Sequence, residues 1–108
     1  MMDELEFQRR SDEAMTTLYK ALLDAGEEHD FEADLNSGAI TIEFFEPPAR
    51  FVVSPNSPVR QIWVSALTTS FKLSWNANKG GFALDDGVTL PQLMANVIGE
   101  QLGTPVEL

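Results

Sequence analysis

The chain has no cysteine, one histidine (His29), and no apolar run long enough to cross a bilayer. Without cysteine, disulfides, thiol catalysis and Fe–S ligation by its own side chains are excluded. The single histidine leaves no basis for a zinc finger. Positive charge is also scarce: seven Lys and Arg stand against seventeen Asp and Glu, a formal net charge of −10 over 108 residues. A surface of this sign repels nucleic acid and anionic membrane and attracts metal cations and basic protein surfaces. The first residues are acidic rather than basic, with Asp3, Glu4 and Glu6 close behind Met1, the reverse of a secretory n-region. The expected location is therefore the cytoplasm.

What is present is unevenly placed. Residues 1–46 hold thirteen acids against Arg9, Arg10 and Lys20, whereas residues 47–108 hold four acids and four bases. The whole net charge is thus an asymmetry within a chain of one-domain size, and residues 1–108 read as a single domain. Hydrophobic residues at 44% and aromatics at 9% are ordinary for a folded core and argue against disorder.

Periodicity supplies the elements. Residues 4–26 predict one amphipathic helix, with Phe7, Ala14, Met15, Leu18, Leu22 and Ala25 on the core side. Glu6, Glu13, Asp24 and Glu28 project on another side as an acidic ridge. Gly26 is the expected stop, through the left-handed conformation that glycine adopts freely. Strands are predicted at 29–35, 39–45, 50–53, 60–67, 71–75 and 82–84, and residues 54–58 read as a rigid loop. In the second strand Ile40, Ile42 and Phe44 alternate with Thr41 and Glu43, the period of a half-buried strand. A final helix starts at Thr89, whose spacing to Gln92 fits a capping box. Its core stripe is Leu90, Leu93, Met94, Val97, Ile98 and Leu102. Gly99 weakens this helix by roughly 1 kcal/mol relative to alanine, and Gly103 with Pro105 ends it.

Helix, hairpin-linked strands, helix is an α+β pattern with no βαβ unit. The economical architecture is a two-layer sandwich: one antiparallel sheet of about six strands with both helices on one face. The other face is left to solvent and carries Thr41, Glu43, Gln61, Trp63, Ser65, Lys72 and Ser74. Trp63 among small polar groups reads as an interaction anchor, since tryptophan buries much area at low entropic cost. Cover by a loop or by neighbouring side chains is the alternative.

Several segments resemble a known family. Pro58-Val59-Arg60-Gln61-Ile62-Trp63-Val64-Ser65 is similar to the central signature of the frataxins, and Gly38–Phe44 resembles their Gly-x-[Leu/Ile]-Thr-[Ile/Val] strand. Leu5–Arg9 with Asp12-Glu13 looks like the start of the bacterial members. Phe71–Trp75, Asp86–Leu90 and the final helix follow in order. The chain departs from the pattern at Lys72, where many members carry arginine or histidine, and at Phe82, where many carry tryptophan. Ser54-Pro55-Asn56-Ser57 also replaces the usual Asn-x-Gln. Few residues follow the second helix, which in frataxins goes with lower stability.

The resemblance implies iron (Fe²⁺ or Fe³⁺) weakly bound at surface carboxylates, matching Asp12, Glu13, Asp24, Glu27, Glu28, Asp30, Glu32, Asp34 and Glu43. Oxygen ligands suit a hard cation. Without imidazole or thiolate the binding is shallow and poorly selective against Ca²⁺ or Mn²⁺, and His29 reads as a turn residue. The resemblance also implies a cysteine desulfurase and an iron–sulfur scaffold protein as partners. The former is met through Glu13, Asp24 and Glu28, the latter through Gln61, Trp63, Ser65 and Lys72. The implied role is an accessory protein, monomeric or oligomerising with iron, and not an enzyme. One alternative is a ferroxidase, disfavoured because di-iron sites use Glu-x-x-His pairs that this chain lacks. Another is a purely acidic interaction module.

Overall fold

Asp3 starts the first helix: its Oδ1 accepts the Glu6 N–H at 2.8 Å and satisfies one of the orphan donors of the first turn. In the computed structural model, which describes residues 2–108, this helix, α1, spans Glu4–Gly26. Its buried face is Phe7, Ser11, Met15, Leu18, Leu22 and Ala25. Ser11 breaks the apolar stripe that the sequence shows. Its hydroxyl donates to the Gln8 carbonyl at 3.2 Å, so the polar group is satisfied within the helix.

The helix does not end as expected. Gly26 has no left-handed φ, and the cap is Glu27 in the right-handed region. The glycine serves close approach instead. A Cβ at position 26 would lie 3.3 Å from the Phe31 carbonyl oxygen, where the chain folds back to start the sheet.

Six strands follow: β1 (Phe31–Asn36), β2 (Ala39–Phe45), β3 (Pro48–Asn56), β4 (Gln61–Ala66), β5 (Thr69–Asn76) and β6 (Gly81–Ala83). They form one antiparallel sheet in sequence order, with a 3₁₀ turn at Ser57–Val59 between β3 and β4. β3 is nine residues long, not four, so Ser54-Pro55-Asn56 is strand and not loop. Proline is tolerated there because β2 pairs with β3 only up to Val53. Past that point β3 bonds β4 alone, so one side of the strand needs no donor. The turn ends at Arg60, which is left-handed (φ 54°) and folds its guanidinium back onto the Ser57 carbonyl.

The second helix, α2, spans Leu90–Leu102 after the capping pair; the Gln92 Oε1 accepts the Thr89 N–H at 3.0 Å. It ends at left-handed Gly103 (φ 72°), as the sequence indicates. Both helices cover one face of the sheet. Between the layers lie Ile40, Ile42, Phe44, Phe51, Val53, Ile62, Val64 and Leu73 from the strands, with Leu93, Met94 and Ile98 from α2. Each such side chain removed from water contributes about 1.5–3 kcal/mol. Aromatic pairs tie the layers together; Phe7 meets Phe82 edge-on at 5.8 Å. Phe82 is fully buried, so the departure from tryptophan leaves a smaller aromatic in the core.

The residues after α2 close back onto it. Val106 is buried and Leu108 packs against the core, while the Gly103 and Thr104 N–H groups donate to the Gly99 carbonyl. Gly99 permits this return, because a Cβ there would lie 3.1 Å from the Thr104 carbonyl oxygen. The glycine that lowers helix propensity thus makes room for the tail. Gly99→Val is expected to cost about 1–3 kcal/mol through overpacking, read as a lower urea midpoint with an unchanged m-value. Stability at or above that of the parent would show that the tail contact is dispensable.

Candidate functional site

Two surfaces differ from the ordinary solvated exterior. The first is the edge of the sheet formed by β1 and the last turn of α1. Glu27 follows the helix, and Glu32 and Asp34 alternate on β1 with Phe31, Ala33 and Leu35, which face the core. β1 pairs with β2 in a register that sets Glu32 opposite Glu43. A trough of about 830 Å³ wraps this edge, with Leu22, Leu23, Gly26 and Phe31 on the helix side and Thr41, Glu43 and Arg50 on the open side. Glu27, Glu32 and Asp34 also line it.

Among the described residues only two ion pairs form, Arg10–Glu6 at 2.8 Å and Arg50–Glu43 at 3.0 Å. Of the nine implied iron ligands, Glu43 alone is therefore in an ion pair there. That pair is exposed on both sides and is worth about 0–1 kcal/mol. Asp12, Glu13, Asp24, Glu27, Glu28, Asp30, Glu32 and Asp34 are all exposed.

The structure brings Glu27, Glu32, Asp34 and Glu43 to one trough but does not unite the nine. Asp12 and Glu13 sit farther up α1 in a shallow hollow shared with Arg9 and Lys20, where cations already lie close. Among the described residues no three Asp, Glu or His side chains converge as a cage for an ion. The donor set is all oxygen and open to water, so it fits a hydrated cation held loosely and not a dehydrated one gripped by several carboxylates.

The second surface is the open sheet face. Trp63 is 37% exposed. Its Nε1–H donates to Gln61 Oε1 at 2.9 Å, and the Gln61 amide donates in turn to Ser74 Oγ at 3.2 Å. The Lys72 ammonium lies 4.9 Å from the indole centroid, a cation–π contact across the β4–β5 pair. Ser65 is exposed one pleat further along β4. The indole is thus held in one orientation by its neighbours. Of the seven open-face residues expected from the sequence, Gln61, Trp63, Ser65, Lys72 and Ser74 lie together here, and Thr41 and Glu43 lie at the trough.

The sequence reading missed Leu23 and Phe45, which are 45% and 46% exposed at the acidic end. Phe45 continues the Thr41, Glu43 alternation and was legible from that period. Leu23 directly follows Leu22 of the core stripe and lines the trough from the flank of α1. Missed too were Ser54, which pairs with Trp63, and Val52, which lines a hollow beside it. Both fall on the portion of β3 whose length or facing the sequence left open.

The whole is a two-layer α+β sandwich with one acidic edge and one aromatic-bearing open face. The frataxin-like domain family matches residues 1–104, and the chain belongs to that family. The iron–sulfur cluster assembly protein CyaY of Azotobacter vinelandii is 30% identical over 100 residues, which is 91% of each chain. The protein of the same name from Janthinobacterium sp. (strain Marseille) is 22% identical over 109 aligned residues, covering 99% of this chain and 96% of that one. The solved frataxin of Psychromonas ingrahamii superposes with a TM-score of 0.77 at 24% identity, over 98% and 97% of the two chains. That likeness shows the fold. No helix among the described residues is long and apolar enough to cross a membrane.

Proposed function

We propose that this chain is an accessory protein of bacterial iron–sulfur cluster assembly; its curated relatives are named iron–sulfur cluster assembly proteins. It carries iron as loosely held cargo along the acidic edge and modulates a cysteine desulfurase working on a scaffold protein. The carrying observation is the family match over residues 1–104 together with eight candidate carboxylates that are exposed and outside the ion pairs. Exposed carboxylates exchange cations quickly, which suits delivery or sensing more than storage. The same charges steer a basic desulfurase surface at long range, and Trp63 supplies desolvated contact with the scaffold. The protein itself breaks and makes no bond in this reading, and the cytoplasm is its place of work.

Anaerobic Fe²⁺ titration followed by NMR is the test. Backbone signals of residues 24–34 are expected to broaden first and at several ions per chain, and millimolar Ca²⁺ is expected to compete. Unmoved signals alongside retained desulfurase binding would leave the acids as an interaction surface only. Aerobic turnover of Fe²⁺ at sub-stoichiometric protein would instead support iron oxidation. No Glu-x-x-His pair is present to support that chemistry.

A further inference from the structure

The outer side of β1 is an unpaired sheet edge lying in a trough. Among the described residues β1 bonds β2 on one side and no strand on the other, so alternate N–H and C=O groups along its six residues face outward. Short, strongly twisted or helix-covered edges are common protections. Here the helix leaves the trough open, with Leu23 nearly half exposed above it.

We infer that this edge receives an extended basic segment of a partner protein as a seventh strand. The inference rests on the partner-docking half of the proposed function and specifies the chemistry of what docks. Backbone bonding along β1 would supply affinity, and the alternating side chains of the added strand would supply selectivity. Period two decides what those side chains are. On the open side they lie beside Glu32 and Asp34, so Lys or Arg fits. On the helix side they lie beside Ala33, Leu23 and the half-buried Leu35, so a small or branched apolar residue fits. The recognised pattern is basic at every second position with apolar residues between, over about six residues. A continuous run of lysines satisfies the charge but places ammonium groups against Leu23.

Three synthetic peptides test this by fluorescence anisotropy in 50 mM and 300 mM salt. One alternates Lys and Val over seven residues, one has the same composition in two blocks, and one alternates but is N-methylated on one edge. The alternating peptide is expected to bind at least tenfold more tightly than either control, and to slow amide exchange along residues 31–36. Leu23→Ser is expected to reduce that preference without altering the fold, because the side chain is exposed. Equal binding of all three peptides would reduce the interaction to diffuse charge and overturn the inference, as would no binding by the alternating peptide. Either result leaves the proposed function standing if the intact desulfurase still binds. Loss of desulfurase binding as well would count against both.

Discussion

Replacing Glu27, Glu32 and Asp34 together by lysine is expected to slow association with a basic desulfurase surface by about 100-fold at low salt. Each change adds two charges, so three take the net charge from −10 to −4. All three side chains are exposed and none is in either ion pair, so no ion pair among the described residues is lost. Thermal stability should be unchanged or higher, since like-charge repulsion is relieved. Surface plasmon resonance over a salt series checks this: the parent on-rate falls steeply with salt, and the variant's hardly at all. The matched control is Glu13→Lys. Arg9 and Lys20 share the hollow with Glu13, so its field is already offset and its reversal should cost only a few-fold. An equal loss from Glu13→Lys would place the docking surface along the whole of α1 and not at the sheet edge.

Trp63→Ala is the second large effect. Tryptophan anchors at interface centres commonly carry 2 kcal/mol or more, which corresponds to roughly 30-fold in affinity. The indole is more than one-third exposed and its polar contacts are to Gln61 and Lys72, themselves surface groups. Removal therefore opens no cavity in the core, and the melting temperature should fall by only a few degrees. Scaffold affinity, by contrast, should fall about 30-fold, with desulfurase on-rate unaffected. A Lys72→Met variant should lose less, because an exposed cation–π contact is worth about 0.5–1 kcal/mol. A collapse in melting temperature on removing Trp63 would mean that the indole is structural and that the open face is not the scaffold surface.

The sequence and the structure agree where period and burial coincide. α1 at 4–26, β2 at 39–45 and the core stripe of α2 were legible because one face of each is buried and the other wet. Disagreement clusters at prolines and glycines. Pro55 reads as loop chemistry, yet β3 runs through it because only one side of the strand is paired at that point. Gly26 reads as a left-handed stop, yet its task is to let the Phe31 carbonyl approach. Glycine has two uses, conformational freedom and lack of bulk, and one sequence does not distinguish them.

The candidate site was legible in identity but not in grouping. The family resemblance named the carboxylates, and alternation placed Trp63, Gln61 and Lys72 on one open face. Which carboxylates share a neighbourhood depends on how α1 crosses the sheet. The placing of α1 on the sheet brings Glu27 to Glu32 and Asp34, whereas Glu13 lies with Arg9 and Lys20 through helical spacing alone. Charge reversals chosen from helical period alone would have mixed the two groups.

Chemical-shift mapping with purified desulfurase and then scaffold reaches the central claim most directly. Desulfurase should perturb residues 24–36, and scaffold should perturb Gln61–Ser65 and Lys72, in two separable sets of signals. Perturbations confined to α2 and the 84–88 loop, with the acidic edge silent, would contradict the account.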